Sequence, residues 1–419
     1  MLSLFGNRIK RFRNTPQTLL TDSAGAANDR FGTSVAVSGD GNRTIIGSPQ
    51  DDNGANADQG SVFIFVRNGT TWTQEAKLVE PTTPGFGAAT YRFGFAVALS
   101  YDGSTAIVGA PYDESHGTDT GAFTLYTRSG STWTYQTKIS QIDFASQANG
   151  YLGWSVALSN DGNTALIGRP GFNTSGNTAR GDAHVFTRTG SSWNKQATLV
   201  HSSGAANDQF GYSVALSSDG NTAIVGAPYD NIGVVGQQGS ATVFTRSGTT
   251  WTQQQTITQT GGKSADYFGL SVALSGDGNT CLVGVPYGDS FSNNGTGEVV
   301  FFTRSSEVWS EQQTLFGDTN AGLLGWSVGL SENGNIAIAG ASEEDIDGVG
   351  VAGSATIYIR LGNVWSRLSK ITNTNKVSLG QAGRGVDLSA TGSIAIMGTP
   401  GDDIGANNEQ GSATIFYRR

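Results

Sequence analysis

The amino-acid sequence predicts an all-β fold, a seven-bladed β-propeller with four antiparallel strands in each blade. Three observations predict it: one unit recurs seven times, polarity alternates with period 2 inside each unit, and the two chain ends supply complementary parts of one unit. Self-similarity at a fixed period marks a repeat architecture, and repeated sets of four short strands are typical of a propeller. Glycine, at 60 of 419 residues, is about twice as frequent as usual, which suits a chain with many tight turns.

The repeat is clearest in the stretch FGYSVALSSDGNTAIVGAP, residues 210–228. A blade lies between two others and buries both faces of its sheet, so every blade needs the same pattern of large and small side chains. The repetition is therefore a structural requirement. The seven copies of the stretch end at Pro49, Pro111, Pro170, Pro228, Pro286, Ser342 and Pro400.

The fourth unit shows how the strands are assigned. Period-2 alternation predicts strands at about 211–217, 222–227, 239–246 and 251–257, and the turn sequences SDGN and SGTT separate the first pair and the last pair.

The two ends of the chain are expected to meet in one blade. The last unit stops after its third strand, and residues 17–20 match a fourth strand. We expect a basic arm at 1–13 and a single propeller at 14–419, in which 14–20 complete the blade formed by about 382–419. Such closure removes an exposed sheet edge.

An aromatic-Gly pair followed by Gly-x-Pro opens and closes the repeated stretch, as in Phe210-Gly211 and Gly226-Ala227-Pro228. This pattern resembles the FG-GAP repeat family, which builds the seven-bladed propeller of integrin α-chain heads and of many microbial proteins. The integrin-like members carry several carboxylates in the loop between strands 1 and 2, where calcium binds. The short loops here resemble the bacterial and viral variant of the repeat.

The shortened loops lead us to interpret their aspartates as turn formers. Calcium takes 6–8 oxygen ligands, and one carboxylate in a tight Asp-Gly turn cannot supply them. These aspartates are Asp40, Asp102, Asp161, Asp219 and Asp277.

Composition excludes several classes of function. A net charge of −9 argues against general nucleic-acid binding, which needs a dominant basic field. No stretch reaches the roughly 18 apolar residues of a membrane span, and the N-terminus lacks a secretory apolar core. We expect a protein of the virion, or of the cytoplasm before assembly. The single cysteine, Cys281, is interpreted as a small buried strand residue.

The loops between strands 2 and 3 and between blades share one rim, and carboxylates collect there. Variable loops on a rigid scaffold are common binding sites, so this rim is the candidate binding face, and a merely solvated acidic surface is the alternative. The candidate residues are Asp51, Asp52, Asp113, Glu114, His116, Asp230, Asp289, Asp402 and Asp403.

The loop SEEDIDG carries Glu343, Asp345 and Asp347. Alternate carboxylates before a glycine could hold a hard cation such as calcium. The spacing is incomplete, so we favour a solvated acidic loop and keep a calcium site as the alternative. No other cofactor is expected. Asp387 stands where other units have a small residue, and we expect it to be paired structurally.

The opposite rim carries an arginine at the end of every third strand and, in six units, a tryptophan at the start of the fourth. Arginine opposite tryptophan predicts cation–π stacking within the blade, and a ring of arginines that grips phosphates or a partner is the alternative. The arginines are Arg67, Arg128, Arg188, Arg246, Arg304, Arg360 and Arg418.

No catalytic motif is present in the sequence, which favours a non-enzymatic binding or assembly protein. The leading hypothesis is a structural or receptor-facing component of a virus or phage particle, with protein partners in a larger assembly or a surface glycan or receptor. The alternatives are a microbial extracellular adhesion protein exported by a non-classical route, and a polysaccharide-acting enzyme with acidic residues in the central channel. The basic arm is expected to assist assembly through Arg8, Lys10, Arg11 and Arg13.

Overall fold

The computed structural model describes residues 10–81, 90–140, 147–173, 176, 178–288, 295–319 and 321–419. These residues form 28 strands and no helix, so none of them forms a helix that could cross a membrane. The strands make seven sheets of four. The predicted all-β seven-bladed propeller is therefore confirmed.

The first six blades are continuous in sequence, and each contains four successive antiparallel strands. Blade 1 contains β2 Ser34–Val37, β3 Arg43–Ser48, β4 Ser61–Asn68 and β5 Thr71–Val79. Blade 2 contains β6 Ala96–Leu99, β7 Thr105–Ala110, β8 Ala122–Ser129 and β9 Thr132–Ser140. Blade 3 contains β10 Ser155–Leu158, β11 Thr164–Arg169, β12 Asp182–Thr189 and β13 Ser192–Leu199.

Blades 4 to 6 repeat this order. Blade 4 contains β14 Ser213–Leu216, β15 Thr222–Ala227, β16 Ser240–Ser247 and β17 Thr250–Ile257, close to the four predicted strands. Blade 5 contains β18 Ser271–Leu274, β19 Thr280–Val285, β20 Glu298–Ser305 and β21 Val308–Phe316. Blade 6 contains β22 Leu324–Leu330, β23 Ile336–Ala341, β24 Ser354–Leu361 and β25 Val364–Ile371.

Blade 7 joins the two ends of the chain. It contains β26 Val386–Leu388, β27 Ile394–Thr399, β28 Ser412–Arg418 and the N-terminal strand β1 Phe12–Leu20. Strand β1 pairs antiparallel with β28, with Gln17 opposite Phe416 and Leu20 opposite Ala413. The predicted closure of the ring is confirmed.

The closing strand begins earlier than the sequence indicated. Phe12 lies opposite Arg418 and is buried, and the backbones of Arg11 and Arg419 exchange two hydrogen bonds, 3.0 and 3.1 Å long. The side chains of Lys10, Arg11 and Arg13 are exposed beside this edge, whereas Arg8 lies outside the described residues. Part of the predicted arm thus runs along blade 7.

Contacts between neighbouring blades explain the two glycine motifs. The Ser213 hydroxyl of blade 4 donates to the carbonyl of Gly269, in the aromatic-Gly pair of blade 5, at 2.8 Å. A Cβ added at Gly226 would lie 2.1 Å from that same carbonyl oxygen. The two motifs therefore meet across the blade interface, and only glycine leaves room for the approach.

The turn aspartates act as predicted. Asp219 Oδ1 accepts the Ser217 hydroxyl at 2.6 Å and the Asn221 backbone N–H at 2.9 Å. Burial alone would raise the pKa of Asp219, but these hydrogen bonds lower it below the usual range. The same bonding pattern at Asp40, Asp161 and Asp277 shows that these carboxylates hold the turn.

The predicted cation–π pairs are present on the turn rim of blades 3 to 6. The Arg246 guanidinium lies 5.4 Å from the centre of the Trp251 ring, and its Nε donates to Asn221 at 2.9 Å. The Trp251 indole N–H donates to Gln196 of blade 3 at 2.9 Å, so the pair also joins two blades. Equivalent pairs are Arg188 with Trp193, Arg304 with Trp309 and Arg360 with Trp365.

Candidate ligand-binding face

The carboxylates predicted for the loop rim divide into a buried and an exposed set. Asp230 belongs to the buried set and accepts a hydrogen bond from the Ser240 hydroxyl at 2.7 Å. Ser240 is the first residue of the third strand of the same blade. Asp51 and Asp402 do the same with Ser61 and Ser412. These side chains hold their loops from inside, so they do not contribute to an exposed binding surface.

Asp113 is also buried, and it pairs with a lysine instead. Lys138 forms salt bridges to both Asp113 and Glu80, the latter at 3.2 Å. Burial raises the pKa of Glu80 to about 7, against the attraction of Lys138. The cluster joins the end of strand β9 to the loop after β7.

The exposed set shapes the loops. Asp52 Oδ1 accepts the backbone N–H of Asp58, and Asp403 Oδ1 accepts that of Glu409, both at 2.9 Å. Glu114 and His116 are exposed, and Asp289 lies outside the described residues.

The three carboxylates proposed for calcium are not brought together. Asp345 accepts the backbone N–H of Val351 at 2.8 Å, and Asp347 pairs with Lys376 at 2.6 Å. Among the described residues, groups of three metal-ligating side chains occur at two other places, and Glu343 belongs to neither.

An aromatic band that the sequence interpretation missed crosses the loop face. Its rings come from three positions of the repeat: the residue after the first glycine of the repeated stretch, the residue after Gly-x-Pro, and the loop that precedes the next blade. Successive ring centres are 4.8 to 6.2 Å apart, and most rings meet edge-on or tilted, which is the favoured geometry of aromatic pairs. From blade 2 to blade 5 the band contains Phe95, Trp154, Tyr212, Tyr229, Tyr267 and Tyr287.

A pocket of about 400 Å³ opens at the blade 2 end of this band. Tyr112, Tyr151 and Trp154 supply its rings, and Asn149 and Asn173 add side-chain amides. None of the described residues that line it is charged. The pocket thus combines apolar ring surfaces with hydrogen-bonding groups.

The pocket opens where blade 3 lacks the tyrosine that its neighbours, blades 2 and 4, have. Its residue after Gly-x-Pro is Gly171, where blades 2, 4 and 5 have Tyr112, Tyr229 and Tyr287. A Cβ at Gly171 would lie 2.0 Å from the Asn149 carbonyl oxygen, so no side chain fits, and the space above the loop stays open. With the seven units in register, this position is tyrosine in blades 2, 4 and 5 and glycine in blades 3 and 7, where Gly401 is the counterpart of Gly171.

Three arginines converge next to the band. Arg30, Arg92 and Arg384 line a cleft of about 170 Å³ between blades 7, 1 and 2. The Arg92 guanidinium stacks on Tyr112, 4.7 Å from the ring centre, and Arg384 lies 4.1 Å from the ring of Trp326. Arg30 is paired with Glu409 at 2.5 Å, so the positive charge of this cleft comes mainly from Arg92 and Arg384.

The central channel is lined by the innermost strands, whose described residues there are Val, Ala, Leu and Gly, with Asp387 as the single carboxylate. Asp387 accepts the backbone N–H groups of Val37 and Leu388, each at 2.8 Å. Burial raises its pKa to about 6. The expected structural pairing is present, and it links blade 7 to blade 1.

Comparison with known proteins agrees with the geometry. A family model described as FG-GAP repeat matches residues 15–65, 72–126, 193–244 and 251–301. Each match runs from the outermost strand of one blade to the third strand of the next. No curated protein matches the chain.

Proposed function

We propose that this chain, which belongs to the FG-GAP repeat family, is a non-enzymatic binding module whose loop face recognises a carbohydrate. The pocket formed by Tyr112, Tyr151 and Trp154 carries the proposal. Its volume falls within the range usual for small-molecule sites, about 300–1,000 Å³.

The chemistry of the pocket suits a sugar ring. A pyranose has an apolar face of C–H groups and a periphery of hydroxyls. Aromatic rings cover the apolar face, while Asn149, Asn173 and Thr178 provide acceptors and donors for the hydroxyls. The uncharged lining favours a neutral sugar at this position.

Longer or acidic glycans would extend along the same face. The aromatic band provides further stacking surfaces toward blade 5, and Arg92 borders the pocket through its contact with Tyr112. A carboxylate on a neighbouring sugar would be attracted by this guanidinium. Glycans with an acidic residue are thus expected to bind more strongly at low salt than at high salt, because dissolved salt screens the attraction between exposed charges.

For the biological setting we propose a receptor-facing component of a virus or phage particle, in which the exposed Lys10, Arg11 and Arg13 beside blade 7 dock onto a protein partner. Detection of the chain in purified particles by mass spectrometry tests this setting. Its absence from particles, together with its presence in culture medium, would favour the alternative of a microbial extracellular adhesion protein.

A polysaccharide-acting enzyme remains the third candidate, and its chemistry would need acidic groups in the channel. Asp387 has both oxygens occupied by backbone donors, which leaves it poorly suited to proton transfer. Turnover of a polysaccharide panel that is abolished by Asp387→Asn would replace the binding proposal with this one.

The proposal is tested with a glycan array probed by the wild type, by Trp154→Ala and by Tyr101→Ala. Tyr101 is an exposed aromatic residue in a turn of the opposite rim, so it controls for the loss of an aromatic ring. We expect the wild type and Tyr101→Ala to bind the same glycans and Trp154→Ala to lose at least tenfold in signal. Equal binding by all three proteins would overturn the assignment of the pocket.

A further inference from the structure

A buried cluster of His201, Asp208 and Asp230 lies between blades 3 and 4, below the loop face. His201 follows strand β13, Asp208 lies in the loop that leads into blade 4, and Asp230 follows strand β15. Their exposed fractions are 5 %, 0 % and 6 %. One ligand atom from each residue lies within 4.8 Å of the other two. Three segments of the chain thus bring an imidazole and two carboxylates to one point.

Two atoms of this cluster are buried without a hydrogen bond. Asp208 Oδ2 accepts the backbone N–H of Ala205 at 2.5 Å, but Asp208 Oδ1 has no partner. His201 Nδ1 also has none, and it lies 3.7 Å from Asp230 Oδ2, beyond hydrogen-bonding distance. Buried polar atoms without a partner are costly and rare, so each needs an explanation.

The other side of the imidazole fixes its orientation. His201 Nε2 lies 3.1 Å from the Thr256 hydroxyl and 3.2 Å from the Ser203 hydroxyl. When Nε2 carries the proton and donates to a hydroxyl, the Nδ1 lone pair points toward the carboxylates. A second hydrogen bond of this kind orients most histidines that bind metals.

The cluster lacks the strand lysine that equivalent positions in blades 1 and 6 contain. In blade 1 the Lys77 ammonium lies 2.6 Å from Asp51, and in blade 6 Lys370 pairs with Glu344. The residue that corresponds to these lysines in blade 4 is Thr256, five positions after the blade's tryptophan. Buried Arg180 is a charged neighbour of the cluster: it donates to the His201 carbonyl, and its charge opposes the rise in the pKa of Asp208.

The buried setting disfavours a charge on Asp208 and on His201. Burial raises the pKa of Asp208 to about 6, and the charge on Asp230 adds to the rise. Burial lowers the pKa of His201, which favours the neutral imidazole that a metal ion needs.

We propose that His201 Nδ1, Asp208 and Asp230 bind one divalent transition-metal ion, with zinc as the best fit. Zinc binds imidazole nitrogen and carboxylate oxygen readily, whereas calcium and magnesium take oxygen ligands. Three protein ligands leave a fourth tetrahedral position for water. The ion supplies the positive charge that Lys77 supplies in blade 1 and ties blade 3 to blade 4.

Metal content tests the site. A chelator first removes bound metal from the full chain, which is then dialysed against excess zinc sulfate and afterwards against metal-free buffer. Elemental mass spectrometry measures the zinc that remains bound. We expect about one zinc per wild-type chain and a melting temperature that rises with zinc. His201→Ala and Asp208→Asn should hold less than a tenth of that zinc and show no rise.

Two further variants separate a built site from incidental binding. Thr256→Lys places an ammonium where blades 1 and 6 have one, so it should exclude zinc. The matching blade 1 cluster consists of Asp22, Asp29 and Asp51, and Lys77 lies 2.6 Å from Asp51. Asp29→Asn should therefore retain the full zinc content. When Co²⁺ replaces zinc, the wild type should show visible absorption bands, whereas His201→Ala and Thr256→Lys should show none. A wild type without zinc, or zinc retained by both His201→Ala and Asp208→Asn, would overturn the proposal.

Discussion

A buried ion pair in blade 3 offers a quantitative test of how the blades tolerate sequence change. Arg169 and Asp182 lie opposite each other in strands β11 and β12, where blade 4 has Ala227 opposite Ser240. Arg169 is 2 % exposed and binds Asp182 through two hydrogen bonds, from Nε at 2.8 Å and from a terminal nitrogen at 2.6 Å. Removal of one partner leaves the other charge buried without its main partner.

The size of the effect follows from this burial. Breaking a buried ion pair from one side costs about 3–5 kcal/mol. The entropy of unfolding, about 2.1 cal/mol/K per residue, gives roughly 0.9 kcal/mol/K for a chain of this length, so Arg169→Ala should lower the melting temperature by about 3–6 °C. Because His184 lies 3.3 Å from Asp182 and stays in place in Arg169→Ala, we expect a decrease in melting temperature near the lower end of this range.

Differential scanning calorimetry of Arg169→Ala, Asp182→Ser and the double variant measures the coupling. The double variant recreates the Ala–Ser pair of blade 4, so it should recover most of the lost stability despite the cavity left by the guanidinium. Single variants that melt within 1 °C of the wild type, or a double variant with the full sum of both losses, would refute this reasoning.

Three further outcomes are expected. Burial raises the pKa of Asp387 to about 6, above its value in the unfolded chain, so ionisation of this carboxyl destabilises the fold. Relative to Asp387→Ala, the wild type should therefore lose stability as the pH rises from about 4 to 6. Denaturant unfolding across this pH range measures the loss. Cys281 is fully buried, which raises its pKa, so it should react with a thiol reagent only after unfolding; rapid reaction of the native protein would contradict its placement. Deletion of 1–20 removes β1 and exposes the edge of β28, so that variant should aggregate in light scattering while deletion of 1–9 leaves a closed ring; identical behaviour of both deletions would argue against closure by β1.

The fold was readable from the sequence because its determinants are local and repeated. The aromatic-Gly and Gly-x-Pro motifs fix the places where blades touch, as the approach of Gly226 to the Gly269 carbonyl shows. The start of β1 at Phe12 was not predicted because the RFRN sequence at residues 11–14 has no counterpart in the fourth strands of the other blades. Its pairing with β28 could therefore not be inferred by comparison with them.

The candidate site was harder to predict because it depends on which loop side chains turn inward. Asp51 and Asp52 are adjacent in sequence, yet the first is buried against Ser61 and the second is exposed. The partners that bury a carboxylate come from other strands, ten or more residues away. The aromatic band and His201 occupy positions whose residue differs from blade to blade, and a search for the shared pattern passes over such positions.

Titration calorimetry of the strongest array glycan tests the central claim of a carbohydrate-binding loop face most directly. The wild type and Tyr101→Ala are expected to bind with the same affinity, and Trp154→Ala at least tenfold more weakly while it melts cooperatively. A Trp154→Ala variant that binds as tightly as the wild type would contradict the claim.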